Sequence, residues 1–366
     1  MILKALSFAL LFAPMAATAQ DFSELETLNA ARIAELPALE LPADKSWGVA
    51  YSLKGVVTSN EGGVFINTVD GRLFRLDLSE AKAAKFDGRT VIIEAEAKQA
   101  DDLAILKVNK ITSYSPKAGE VIPAPYQPRR RQATILENKA GEFVMGNVRM
   151  TEAEVPPADA YDWTTMRIKP ELIKNVYFIK KPFKPEVVAA HSFLVFTFEK
   201  GGLKDAKGRE PMALALSIEG KTRTDQTFSP LTGLKNSFGI IWSLSTWEEY
   251  AARTIYHEKG HLVPYPVNFT HGQKVKLLQE SLTLAAVNRE GEFYHTITNN
   301  CTNNLLILFN RVLPQDRQIK LWTIPYMVYN VKATMPLMVI TNLQKRGILG
   351  AEFTDINAQT LHTRIP

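Results

Sequence analysis

Phe293-Tyr294-His295-Thr296-Ile297-Thr298-Asn299-Asn300-Cys301-Thr302-Asn303-Asn304-Leu305 holds the only cysteine of this 366-residue chain. The apolar run Leu305-Leu306-Ile307-Leu308-Phe309 contains the end of this stretch. The segment therefore reads as a turn, a polar cap and the start of a helix over Thr302–Leu313. A thiol at that point meets exposed backbone N–H groups and the positive end of the helix dipole, which lower its pKa. The competing reading is a small core side chain. Leu305, Leu308 and Val312 lie at i+4, i+7 and i+11, on one helical face with Cys301. Asn299 and Asn300 carry the same ambiguity, as helix caps or as amide donors to an oxyanion.

A single cysteine forms no internal disulfide, so a large core must hold the fold. Residues 1–19 read as a signal peptide. Lys4 supplies the positive end, Ala5 to Ala13 is mostly apolar, and Ala17-Thr18-Ala19 is a cleavage signal near Ala19. The expected location is the periplasm. Met335-Pro336-Leu337-Met338-Val339-Ile340 is apolar but too short to span a bilayer. The net charge of +5, with Arg129-Arg130-Arg131 in one run, is compatible with contact at a membrane surface. An exported chain with no aromatic–basic stripe excludes nucleic acid as a partner.

From Trp47 to Tyr114 the pattern is five short strands and one helix near Ser79–Ala84, with turn signals at Glu61-Gly62-Gly63 and Asp70-Gly71. Residues 46–115 are expected to form a small closed barrel of the oligonucleotide/oligosaccharide-binding type. Residues 116–135, with Pro116, Pro123, Pro125 and Pro128, read as a stiff linker kept in solvent by its arginines. A short intermediate segment leads to a second domain over 165–366. Its expected strands are Asn175–Ile179, His191–Phe198, Ala213–Glu219 and Leu262–Val267, and its helices Thr246–Tyr256, Gln273–Val287 and Thr302–Leu313. The fold class is α+β.

Strand alternation places His191 with Phe193, Val195 and Thr197, and Ser217 with Glu219 on the next strand. Each alone reads equally well as a structural strand-end residue. Together with Cys301 they supply the parts of a thiol site: a nucleophile, a base and a group that orients the base. Arg253 reads as a solvated helix residue or as a ligand for an anionic headgroup. His257-Glu258-Lys259-Gly260-His261 matches the zinc-protease pattern, and Glu280 has a third-ligand spacing. Gly260, Pro264 and Pro266 break the helix that pattern requires. No metal and no cofactor is expected.

The order of these segments resembles the Lnb-type periplasmic domain, a family similar to circularly permuted papain-like enzymes such as lecithin–retinol acyltransferase. The resemblance covers about residues 170–330. It rests on His191-Ser192-Phe193-Leu194-Val195-Phe196, Ala215-Leu216-Ser217-Ile218-Glu219, Phe228-Ser229-Pro230-Leu231-Thr232-Gly233-Leu234, Arg253-Thr254-Ile255-Tyr256-His257 and Val263-Pro264-Tyr265-Pro266-Val267. The segment Phe293–Leu305 is the most specific. The resemblance implies a permuted papain-like fold with Cys301 as nucleophile and His191 as base, with Glu219 third and Ser217 behind it. It implies acyl transfer or hydrolysis through a thioester, on lipid or lipoprotein. Cell-wall peptide as the substrate of an amidase or hydrolase, and a binding scaffold without turnover, are the alternatives.

Overall fold

The computed structural model describes the chain from residue 50, except 61–62, 69–72, 98–104, 121–123, 125, 128, 140, 159, 184–189, 230–231, 236, 288, 290–291, 297–298, 320–335, 362–364 and 366. The expected signal peptide lies outside the described residues.

Five strands close into a barrel: β1 (Ala50–Asn60), β2 (Gly63–Thr68), β3 (Leu73–Asp77), β4 (Thr90–Ala97) and β5 (Ile105–Ser113), in the order β1-β2-β3-β5-β4. The length of β1 makes closure possible. Its first half pairs with β4 and its second half with β2, the two ladders overlapping at Gly55 and Val56. A parallel β3–β5 ladder completes the ring. Alternate residues such as Leu53, Val57, Val64, Ile66, Val91 and Ile93 fill it. The short helix α1 (Glu80–Ala83) follows Ser79 and buries Ala83 against this core.

The rest of the chain builds a ten-stranded, mainly antiparallel sheet among the described residues. Its strands are β6 (Thr134–Lys139), β7 (Glu142–Met150), β8 (Asp162–Ile168), β9 (Ile173–Pro182), β10 (Ala190–Phe198), β11 (Leu203–Asp205), β12 (Ala213–Lys221), β13 (Phe238–Thr246), β14 (Val263–Pro266) and β15 (Phe293–Tyr294). The main path runs β11-β8-β7-β13-β12-β10-β9-β14, with β6 on β7 and β15 on β13. One face is covered by α3 (His271–Ala285), α4 (Cys301–Val312) and part of α5 (Pro336–Lys345), which share a core with Leu194, Phe196, Leu214 and Leu216. The opposite face carries α2 (Trp247–Ala252), packed on Phe193, Val195, Ala213 and Ala215.

The sheet begins at Thr134, ahead of the boundary at 165 expected from the sequence. The β7 pattern is hard to read because Asn147 has φ 60° and the β7–β8 register shifts between Met145 and Val148. A residue in that conformation breaks period-two alternation. The β13 strand is buried on both faces: Phe238, Ile240, Trp242 and Leu244 join the larger core, while Ile241 interrupts the small and polar residues Gly239, Ser243 and Ser245 on the other face. The linker arginines are not in solvent: Arg130 and Arg131 are 5% and 1% exposed. Arg131 is packed between the Phe65 ring of the barrel, 4.8 Å from its centroid, and the Trp163 ring of β8, 4.6 Å away. Cation–π contact of this kind satisfies a guanidinium that burial would otherwise penalise.

Candidate active site

Asn300 caps α4. Its side-chain oxygen accepts from the Asn303 N–H at 2.9 Å, and its Nδ2 donates to the Thr296 carbonyl at 2.8 Å. The turn before it closes on itself, His295 N–H to Asn299 O at 3.0 Å and Asn299 N–H to His295 O at 3.1 Å. Asn299 Nδ2 donates to Glu292 Oε1 and to the Phe293 carbonyl, both at 2.9 Å, while Asn304 donates to its Oδ1 at 2.8 Å. Glu292 is itself paired with buried Arg289 at 3.0 Å. Both asparagine amides are thus engaged in shaping the turn and the helix start. The structure directs neither Nδ2 to an oxyanion, and their roles here are capping and bracing.

This scaffold fixes Cys301 as the first residue of α4. Its thiol is 5% exposed and faces the backbone N–H of Ser192 on β10, the Thr302 hydroxyl at 3.9 Å and the Tyr294 hydroxyl. Burial pushes the thiol pKa up, against the smaller lowering effects of the Ser192 N–H, Thr302 and Tyr294. The lowered value expected at a helix N-terminus is therefore not found: removal from water opposes the thiolate more strongly than these donors support it. Tyr294 lies beside both the thiol and the Cys301 N–H, and burial raises its own pKa well above 10, so its hydroxyl stays protonated. Its ring is held edge-on by Phe228, with centroids 5.6 Å apart.

His191 precedes Ser192, the thiol's backbone contact on β10, and points to the opposite face. Its ring stacks with Phe193 at 5.9 Å. Its Nε2 lies 2.8 Å from Ser217 Oγ, and Ser217 Oγ donates to Glu219 Oε1 at 2.7 Å. The structure thus brings His191, Ser217 and Glu219 into one chain. Because Ser217 gives its only proton to Glu219, it must accept from Nε2–H, which leaves Nδ1 as the lone-pair nitrogen. Burial, then the charges of Lys181 and Arg130, hold His191 down to about 3. The imidazole is neutral at ordinary pH, as a general base must be.

The imidazole is hydrogen-bonded to Ser217, not to the thiol. The sheet nonetheless opens at this point. β10 pairs with β12 only from Phe193 onward, whereas Ala190, His191 and Ser192 pair with β9 alone.

Three contributors are not evident in the sequence pattern. Tyr294 is positioned by the 295–299 turn. Lys181 lies across from His191 in the β9–β10 register and forms an ion pair with Glu258. Arg130 forms an ion pair with Glu219. Arg253, a candidate anion ligand, is occupied elsewhere. It pairs with Glu249, donates to the carbonyls of Pro157 and Ala158 at 2.8 and 3.0 Å and to that of Ala160, and stacks over Tyr161 at 4.0 Å. In the zinc-like pattern His257 bonds the Pro156 carbonyl at 2.6 Å and His261 faces Asp355 at 3.6 Å. Lys259 between them has φ 53°, which ends the helix. Glu280 is bonded to Arg311. No group of side chains suited to a metal ion occurs among the described residues.

Residues 159–335 match the family model described as the Lnb N-terminal periplasmic domain, and residues 54–114 match a family described as a protein of unknown function (DUF5818). No curated protein and no solved structure matches the chain. The first match supports the Lnb type for this part of the chain, and with it a periplasmic location. No helix among the described residues is long and apolar enough to cross a membrane.

Proposed function

We propose that this protein is a cysteine-dependent acyltransferase working through a thioester on Cys301, with a permuted papain-like arrangement in its sheet domain. The observation that carries the reading is the pairing of two settings across one strand. A protonated thiol sits at a capped helix start, and a neutral imidazole, one residue from the thiol's backbone contact, is oriented by Ser217 and Glu219. The match to a periplasmic Lnb-type domain favours lipid or lipoprotein as substrate, and the residues 1–19 as an export signal.

In this mechanism His191 Nδ1 takes the thiol proton as sulfur attacks an acyl carbonyl. The C–S bond forms, and the carbonyl electron pair moves onto oxygen. The Cys301 N–H and the Tyr294 hydroxyl donate to that oxyanion; a donor of this type stabilises a transition state by roughly 3 kcal/mol. Collapse expels the alcohol or amine, which leaves with the proton from His191 Nδ1. An amine, or water, then attacks the thioester and releases Cys301 as the thiol.

A non-catalytic scaffold is the second reading, favoured by the deep burial of Cys301. Intact-mass analysis separates the two. Purified wild type, Cys301→Ala and His191→Ala are incubated with phospholipid, lipopeptide and cell-wall peptide. An acyl adduct on wild type, absent from both variants, supports the thioester, and its mass identifies the donor. A peptide-derived adduct would redirect the substrate to the cell wall. No adduct with any donor supports the scaffold.

A further inference from the structure

The matched family segment starts at residue 159, yet the chain of polar contacts behind His191 does not end inside it: Glu219 forms an ion pair with Arg130. Glu219 divides its two carboxylate oxygens: Oε1 accepts from Ser217 at 2.7 Å, and Oε2 faces the Arg130 guanidinium. Arg130 belongs to the linker that precedes the sheet. Its side chain is 6% exposed and that of Glu219 16%, so the pair is largely shielded from water.

The linker is fixed on both sides of Arg130. Before it, Tyr126 bridges to Arg223, the Gln127 N–H donates to the Thr222 carbonyl at 3.1 Å, and Arg223 donates to the Ala124 carbonyl at 2.6 Å. The rings and cations stack as well, with Lys221 and Arg223 each 4.1 Å from the Tyr126 ring centroid. These contacts lie just past the end of β12, the strand that carries Ser217 and Glu219. After it, Arg131 is packed between Phe65 and Trp163, and the Gln132 carbonyl accepts from Asn147 Nδ2 at 2.9 Å. A side chain anchored from both directions and aimed at a buried carboxylate has little freedom to leave it.

We infer that Arg130 is a positioning residue of the active site, the fourth member of an Arg130–Glu219–Ser217–His191 chain, supplied by the linker rather than by the matched domain. It holds Glu219 Oε2, so that Oε1 remains directed at Ser217 and the imidazole keeps one tautomer. The inference rests on the proposed base role of His191 for its kinetic consequence, but not for its structural one.

The test uses the full chain carrying Arg130→Met or Arg130→Lys. The His191 ring is followed by NMR through a pH titration and assigned with His191→Gln. Removing the guanidinium takes away a positive charge near the imidazole and leaves Glu219 uncompensated, and both effects raise the His191 midpoint. The expected upward shift in Arg130→Met is at least about one pH unit. Arg130→Lys keeps the charge, so its midpoint stays close to wild type, while a point charge in place of a planar fork loosens Glu219. Where wild type forms an acyl adduct, its rate at pH 7 should fall about tenfold or more in Arg130→Met and by less in Arg130→Lys. An unshifted His191 midpoint and a wild-type adduct rate in Arg130→Met would overturn the inference. If Arg130→Met fails to fold, Arg130→Gln takes its place, and an unshifted His191 midpoint with a wild-type adduct rate in that variant would overturn the inference equally. If wild type forms no adduct, the acyl-transfer reading fails, and the NMR arm alone decides whether Arg130 positions the chain.

Discussion

Along β10, side chains alternate between two unlike environments. Ser192, Leu194 and Phe196 turn toward α4 and a core of Leu305, Leu308 and Phe309. His191, Phe193 and Val195 turn toward α2, where the sheet is lined by ion pairs: Arg130 with Glu219, Lys181 with Glu258, and Arg149 and Arg253 with the two oxygens of Glu249. The first face removes charge from its neighbourhood and so keeps the Cys301 thiol protonated. The second buries His191 and sets the positive charges of Lys181 and Arg130 beside it, and so keeps the imidazole neutral. Both settings oppose a resting thiolate–imidazolium pair. In the proposed mechanism, proton transfer is therefore coupled to attack on the substrate.

Removing the proposed nucleophile breaks the comparison most completely. Cys301→Ala should reduce acyl-adduct formation to background, read by intact mass, with the fold retained in circular dichroism. His191→Gln comes next, with a rate loss of about 10²–10⁴-fold. The same variant tests the charge environment of the second face. The unfolded histidine titrates near 6.5 and the folded one near 3, so between those values the unfolded state binds more protons. Stability linked to His191 is complete above pH 6.5 and is lost as pH falls toward 3. Chemical denaturation at a series of pH values should show a shallower acid loss in His191→Gln than in wild type.

Tyr294→Phe sharpens the picture of the first face. Loss of the hydroxyl should lower the adduct rate by about 10²-fold. It should also raise the pH midpoint of Cys301 alkylation, because a donor to the thiolate has gone. Asn300→Ala removes the cap and the bond to the Thr296 carbonyl, and should cost about 1–2 kcal/mol of stability in denaturant titrations. The smallest effect is none: a chelator should leave the adduct rate unchanged, since His257 and His261 are engaged with Pro156 and Asp355.

Much of this arrangement was legible in the sequence. The barrel showed as five strands with turn signals. The strands of His191 and Ser217 and the helix of Cys301 stood where periodicity placed them. What escaped reading depended on partners distant in sequence. The Arg129-Arg130-Arg131 run looks solvated until Glu219, Phe65 and Trp163 are brought to it. The β13 strand is buried on both faces, and Ile241 breaks the polar side of its alternation. Cys301 sits at the helix start as expected, but its ionisation is set by burial, which a local motif does not reveal. Asn299 and Asn300 could be assigned as braces only once Glu292, Phe293 and Thr296 were seen as their acceptors.

The most direct test of the central claim, that an imidazole on one face of the sheet serves a thiol on the other, is the rate of Cys301 alkylation by iodoacetamide across pH. Wild type and His191→Gln are compared on the full chain. The account predicts slow alkylation of wild type at neutral pH, as burial requires, and a further loss of about tenfold in His191→Gln at pH 7–8. Identical rates for the two proteins at every pH would mean that the two faces do not communicate, and would contradict the account.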